Sequence, residues 1–149
     1  MIKNIIYSVV LGLLMILPVS VLASWSGQWE GKAFLKVGDV ENTGTLFFVL
    51  EQTDSTFSLK EGHFSSPHYQ VSWEPVMMDI KEGNLYFNNE KVGVITEELL
   101  DVNRYDKNSR QYFQYHAERL DERTIRYQEI WMDEDHKIIY SLQSDLSLK

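Results

Sequence analysis

The feature that most constrains this 149-residue chain is a strand-like alternation of apolar and polar residues, interrupted at short intervals by turn residues. The clearest example runs from Gln28 to Val37, where Trp29, Ala33 and Leu35 share one face and charged residues occupy the other. No stretch after residue 23 keeps apolar residues at the spacing that an amphipathic helix needs. The pattern predicts an all-β fold, an antiparallel up-and-down barrel of about eight to ten strands.

The three C-terminal strands can be aligned with one another. They are predicted over Gln111–Leu120, Thr124–Asp133 and His136–Leu146. Because cross-strand neighbours share a face of the sheet, a three-residue loop at 121–123 places Tyr115 opposite Glu129. A two-residue turn at 134–135 places Tyr140 opposite Glu129 on the other side. The alignment therefore predicts that one carboxylate lies between two tyrosines.

Glu129 is the only carboxylate on the apolar face of its predicted strand before the terminal residue, Asp133. Burial of an unpaired carboxylate costs several kcal/mol or raises its pKa. Three interpretations stay open: a polar anchor for a ligand, a closed Tyr–Glu–Tyr network that fixes the register, or a solvated group near a barrel mouth. For the first, we predict as ligand-binding residues Glu129, Tyr115, Tyr140, Tyr127 and Trp73.

Residues 1–23 have the features of a secretory leader. A positive charge near the start precedes the apolar run Ile5–Leu17, and Val21 and Ala23 supply the small residues of a cleavage site. The sequence therefore predicts export to a periplasm or the extracellular space, with cleavage after Ala23. Residues 24–149 would remain as a single domain without a membrane anchor. The alternative is an uncleaved anchor, because about 20 apolar residues can span a bilayer.

Composition excludes several classes of protein. The chain has no Cys, which rules out disulfides, Cys metal sites and a lipid-modified N-terminal Cys. The net charge is −8, and it becomes −9 when Lys3 leaves with the leader, so nucleic acid is a poor partner. Among the four His residues, His116 shares a strand face with a nearby carboxylate, Glu118, at i, i+2 spacing. Such surface pairs are usually solvated, so we predict no metal and no cofactor.

The sequence carries no catalytic motif. It has neither a Gly-rich phosphate loop nor the Gly-x-Ser-x-Gly or His-Glu-x-x-His patterns. Its adjacent carboxylates, such as Glu97 and Glu98, point to opposite faces of a strand and do not form an acid–base pair. These observations favour a protein that is not an enzyme. A barrel enzyme that uses Glu129 and a Tyr stays open as an alternative.

Gly27-Gln28-Trp29, at the start of the first predicted strand, resembles the Gly-x-Trp motif of lipocalin-like (calycin-type) barrels. The segment from Glu82 to Ile95 is similar to small exported bacterial proteins of this type. The resemblance implies an exported barrel that binds small apolar molecules inside. Lipocalins also place an Arg late in the chain, packed over the Trp, and the last predicted strand here has no Arg.

We therefore expect an exported, monomeric barrel that binds a small apolar or amphipathic molecule. The alternative is a solid barrel that acts as a protein-interaction module. Its contact surface would lie around Phe48 or in the polar segment Asp101–Arg110, which is predicted as a solvated loop or a lid over a barrel mouth. The volume available inside the barrel distinguishes these two hypotheses.

Overall fold

The computed structural model describes residues 24–149, and the predicted leader and its cleavage site lie outside this range. Eleven strands follow one another in this part of the chain, and no helix long and apolar enough to cross a membrane occurs in it. The strands are β1 Gly27–Val37, β2 Val40–Gln52, β3 Thr56–Ser65, β4 Gln70–Ser72, β5 Val76–Lys81, β6 Asn84–Phe87, β7 Glu90–Ile95, β8 Leu99–Asp106, β9 Gln111–Asp121, β10 Thr124–Met132 and β11 Ile138–Leu148.

Ten of the strands form a closed antiparallel barrel, as the sequence predicted. Around the barrel the order is β2, β1, β11, β10, β9, β8, β7, β6, β5 and β3, and the pairing of β3 with β2 closes the ring. The short strand β4 pairs only with β3, beyond the stretch of β3 that pairs with β5. Closure leaves no unpaired edge around the barrel, which an open sheet of this size would have.

Tight turns fix the register of the central hairpins. Asn88-Asn89 forms a two-residue turn with positive φ at both residues, and it pairs Phe87 with Glu90. Glu82-Gly83 is also a two-residue turn with positive φ at both positions. Positive φ at Glu82 is unusual for a residue with a Cβ, and the hairpin tolerates it because this turn type matches the strand twist.

The polar segment Asp101–Arg110 is mostly strand, so the prediction of a loop or lid there was wrong. Residues 101–106 belong to β8, and only 107–110 form the turn to β9. The alternation was hidden because an inward position of this strand, Arg104, is charged rather than apolar. The preceding strand ends at Ile95, and the Thr96 hydroxyl accepts hydrogen bonds from the backbone N–H groups of the turn that follows it.

The predicted register of the last three strands is correct between β9 and β10 and wrong between β10 and β11. Tyr115 pairs with Glu129 as predicted, because a bulge near the two-residue turn gives the same register as the predicted loop. On the other side Glu129 pairs with Leu142, and Tyr140 pairs with Trp131 instead. The connection there runs over residues 133–137 and includes a positive φ at His136, so it is longer than the predicted two-residue turn.

One end of the barrel is sealed by two tryptophans and an arginine. Trp25 and Trp29 have no exposed surface, and their indole nitrogens donate to the carbonyls of Thr96 (2.8 Å) and Trp25 (3.0 Å) respectively. The Arg119 guanidinium lies 4.7 Å from the Trp25 ring centre and 5.9 Å from that of Trp29. The chain therefore has an Arg packed over its motif Trp, which the sequence analysis missed because this Arg lies on β9 and not on the last strand.

The opposite end is more open. There, aromatic side chains that point inward are only partly buried, among them Phe87, Phe113, Tyr115 and Trp131. Deeper in the barrel the inward residues are fully buried, for example Leu35, Leu85 and Leu142. Solvent therefore reaches into the barrel from this end only as far as an aromatic layer, and we call this end the mouth.

Candidate functional site

Glu129 lies directly below the mouth and is completely buried. One carboxylate oxygen, Oε1, accepts hydrogen bonds from the indole nitrogens of Trp131 at 2.6 Å and Trp73 at 3.2 Å. The other, Oε2, accepts a hydrogen bond from the Tyr127 hydroxyl at 2.8 Å. Of the three interpretations of Glu129, the solvated one is wrong, because three donors replace the water that burial removes.

Burial dominates the electrostatics of this carboxyl group. Loss of solvent raises the pKa of Glu129 to about 7, although the hydrogen bonds from Tyr127, Trp73 and Trp131 act in the opposite direction. Burial, followed by the Glu129 charge, also raises the pKa of the Tyr127 hydroxyl well above its usual value. Near neutral pH the site therefore holds a carboxyl group that gains and loses a proton, surrounded by groups that remain donors.

Trp73 reaches Glu129 because the chain leaves space for its ring. Its backbone N–H donates to the carbonyl of Gly62 on β3, and a Cβ at Gly62 would lie 3.4 Å from the indole and 2.9 Å from the Phe48 ring. Phe48 in turn makes edge contacts with Trp73 and Tyr127. A glycine in mid-strand therefore lets two aromatic rings pack beside the carboxylate.

The predicted site residues lie at this end of the barrel, but their roles differ from the predicted ones. Tyr127 and Trp73 donate to Glu129, whereas Tyr115 and Tyr140, the predicted donors, do not. The predicted Tyr–Glu–Tyr network is therefore a network of one tyrosine and two tryptophans. The Tyr140 hydroxyl is buried and has no hydrogen-bond partner among residues 24–149.

Sequence reasoning missed two residues of the mouth. Trp131 was not among the predicted ligand-binding residues, although an indole N–H two residues from Glu129 on the same strand face is a ready donor. Arg104 was placed in a loop. Its guanidinium lies 5.0 Å from the Phe87 ring centre and 5.7 Å from that of Phe113. Recognising the strand β8 would have directed Arg104 inward.

The proposed outer surface around Phe48 does not exist, because Phe48 is buried inside the barrel. The outer wall instead carries a groove of about 600 Å³ across β1, β9, β10 and β11. Phe34, which is 58% exposed, lies in it beside Lys32, Arg126 and Asp145. A second concavity, of about 480 Å³, lies next to the sealed end and includes Ser24 and Thr96.

Metal-ligating side chains are dispersed over the described residues. No group of three His, Asp or Glu residues within 24–149 is placed to hold a metal ion. His116 points outward, as predicted, but its Nδ1 lies 3.1 Å from Asp101 on β8 rather than acting together with Glu118. This pair is exposed and lies outside the barrel.

No protein-family model and no curated protein matches this sequence. Several solved structures, however, are similar to this protein in fold. A protein of unknown function of the DUF3598 family from Nostoc punctiforme matches 84% of this chain with a TM-score of 0.60 and 10% identity, and the chain covers 47% of that protein. The S-type phycobiliprotein lyase CPES from Guillardia theta matches 84% of this chain with a TM-score of 0.57 and 7% identity, and the chain covers 88% of it.

The chain spans about half the length of the Nostoc protein, and both identities are low. These similarities therefore define the fold alone. The protein is a closed antiparallel barrel of the lipocalin-like class, with one sealed end and a mouth above a buried carboxyl group.

Proposed function

We propose that this protein binds a small apolar or amphipathic molecule at the mouth of its barrel. The observation that carries the proposal is the buried Tyr140 hydroxyl without a partner, next to inward aromatic rings that solvent can reach. An unpaired buried hydroxyl costs about 1–3 kcal/mol, which a ligand acceptor would recover. The barrel below the mouth is filled by buried side chains, contrary to the expected ligand cavity inside the barrel, so we place the ligand on the aromatic layer instead.

The similarity to a phycobiliprotein lyase supports this proposal only at the level of the fold. The donors around Glu129 support it more directly. Trp73 and Trp131 present one edge to the carboxylate and remain partly buried rather than sealed. A bound molecule would therefore contact the rings whose N–H groups are already fixed in position.

We also propose that the protein acts outside the cytoplasm as a monomer, after removal of residues 1–23. The decisive experiment is native mass spectrometry of protein purified from its own compartment. We expect the mass of residues 24–149 together with the mass of a bound small molecule, which is lost when the protein unfolds. A protein without any retained molecule, and without binding of added hydrophobic probes, contradicts the proposal. A mass that includes the leader contradicts cleavage.

The interaction-module alternative keeps one supporting observation, the exposed Phe34 in the outer groove. Charged groups of both signs surround this ring, among them Lys32, Arg126 and Asp145, as is common at the rim of a protein contact. The same spectrum separates the two functions, because a module would retain a second protein instead of a small molecule.

A further inference from the structure

The mouth contains a continuous row of side chains on four neighbouring strands. The backbone register places Arg104 of β8 opposite Phe113 of β9, Phe113 opposite Trp131 of β10, and Trp131 opposite Tyr140 of β11. The side chains touch in the same order. The guanidinium lies 5.7 Å from the Phe113 ring centre, Phe113 and Trp131 meet edge to face at 5.1 Å, and Trp131 stacks on Tyr140 at 4.3 Å.

The first group in this row is a cation that forms no direct ion pair, although its charge contributes to the lowered pKa of Asp106. Within residues 24–149, no carboxylate lies within ion-pair distance of Arg104, which contacts the rings of Phe87 and Phe113 instead. The nearby Asp106 carboxylate is occupied by the turn, since it accepts from the Asn108 N–H and the Ser109 hydroxyl, both at 3.0 Å. A guanidinium always carries its charge and offers five N–H donors.

The last group in the row is a donor without an acceptor. Tyr140 is 6% exposed, and its hydroxyl has no partner in the described part of the chain. Burial raises the pKa of this hydroxyl, so it keeps its proton. Between the cation and this donor lie two aromatic rings. At about 4.8 Å per strand spacing, the row is about 14 Å long along the barrel wall.

We propose that the mouth binds a flat amphipathic anion, with its acid group on Arg104, its apolar or aromatic body over Phe113 and Trp131, and an acceptor at its far end on the Tyr140 hydroxyl. This inference rests on the proposed function, because it names the ligand class for the same mouth. It goes further in assigning charge selectivity to one residue. The two ends of the row accept the polar groups of the ligand, and the rings between them accept its body.

Two fluorescent probes that differ by one acid group test the inference. Anilinonaphthalene sulfonate is a flat aromatic anion, and N-phenylnaphthylamine is the same ring system without the sulfonate. We expect the wild-type protein to bind the anion about tenfold more tightly than the neutral probe, as one charge-assisted contact allows. Arg104→Gln should weaken binding of the anion about tenfold and leave binding of the neutral probe unchanged.

Arg126→Gln is the matched control, because it removes the same charge from the outer groove, where Arg126 pairs with Asp145. It should change neither affinity. Equal binding of both probes by the wild-type protein, no effect of Arg104→Gln, or an equal loss in Arg126→Gln overturns the inference while leaving the proposed function intact. Failure of both probes to bind overturns the proposed function as well.

If Arg104→Gln does not fold, the salt dependence of the wild-type protein decides instead. Added sodium chloride must weaken binding of the anion and leave the neutral probe unaffected. The same response for both probes overturns the inference.

Discussion

The four tryptophans of this chain form two pairs, one at each end of the barrel, that differ in their exposure and in their hydrogen-bond acceptors. Trp25 and Trp29 have no exposed surface and donate to backbone carbonyls, whose hydrogen-bonding capacity does not change with pH. Trp73 and Trp131 are partly exposed and donate to a carboxyl group whose pKa is about 7. The same indole group therefore closes one end permanently and surrounds a titratable group at the other.

The comparison indicates where stability and function separate in this fold. The sealed end satisfies every indole N–H, and Arg119 covers the rings. The mouth has a buried polar atom without a partner, the Tyr140 hydroxyl. Buried polar groups with a purely structural role are normally hydrogen-bonded within the protein. An unpaired donor is expected where a ligand supplies the acceptor.

The largest effect on stability is expected when a tryptophan ring is removed from the sealed end. Trp29→Ala should lower the free energy of unfolding by about 3–5 kcal/mol, because it removes a fully buried ring and leaves a cavity. Trp29→Phe keeps most of the ring and should cost less. Urea unfolding of both variants measures the difference. A cost below about 1 kcal/mol for Trp29→Ala would mean that this end is not a structural plug.

The next effect concerns pH. Burial raises the pKa of Glu129 from 4.5 to about 7, so between these values the folded state binds the proton and the unfolded state does not. The contribution of the bound proton on Glu129 to the free energy of unfolding is fully present below about pH 4.5 and is lost as the pH rises through about 7. The loss is on the order of 3 kcal/mol, at about 1.4 kcal/mol for each pH unit between the two values.

Glu129→Gln removes this titration and should cost about 1–3 kcal/mol at low pH, through disturbed hydrogen bonds. The difference in the free energy of unfolding between the wild-type protein and the variant should then become smaller as the pH rises. Urea unfolding across this pH range measures the difference, and the exposed Glu118→Gln on the neighbouring strand controls for the loss of a carboxylate. A difference that does not change with pH contradicts a raised pKa for Glu129.

The smallest effect distinguishes the two buried tyrosines of the site. Tyr127→Phe removes a donor to Glu129 and should cost about 1–2 kcal/mol, whereas Tyr140→Phe removes an unpaired hydroxyl and should be neutral or slightly stabilising. Thermal unfolding of the two variants compares them directly. An equal cost for both would show that Tyr140 is part of the structural network rather than a free donor.

The sequence predicted the barrel well because alternation and turn chemistry are local signals. The strand over Gln28–Val37 lies where it was predicted, and so does the pairing of Tyr115 with Glu129. The site was predicted less well because it depends on exact register. The five-residue connection before β11 moved Tyr140 by two residues, from Glu129 to Trp131.

Three other features could not be predicted, for two different physical reasons. Arg104 was missed because a charged residue at an inward position breaks the apolar pattern on which strand prediction depends. Arg119 was missed because it reaches the motif Trp from a strand far away in sequence, and only barrel closure brings them together. Trp73 likewise reaches Glu129 across 56 residues, through a packing arrangement that Gly62 permits.

The most direct test of the central claim follows the four indole N–H signals by nitrogen–proton NMR during titration with N-phenylnaphthylamine. Each tryptophan supplies one signal, two from the sealed end and two from the mouth. Binding at the mouth predicts that the Trp73 and Trp131 signals shift with added probe while those of Trp25 and Trp29 stay in place. Shifts confined to Trp25 and Trp29, or no shift of any indole signal, would contradict a ligand site at the mouth.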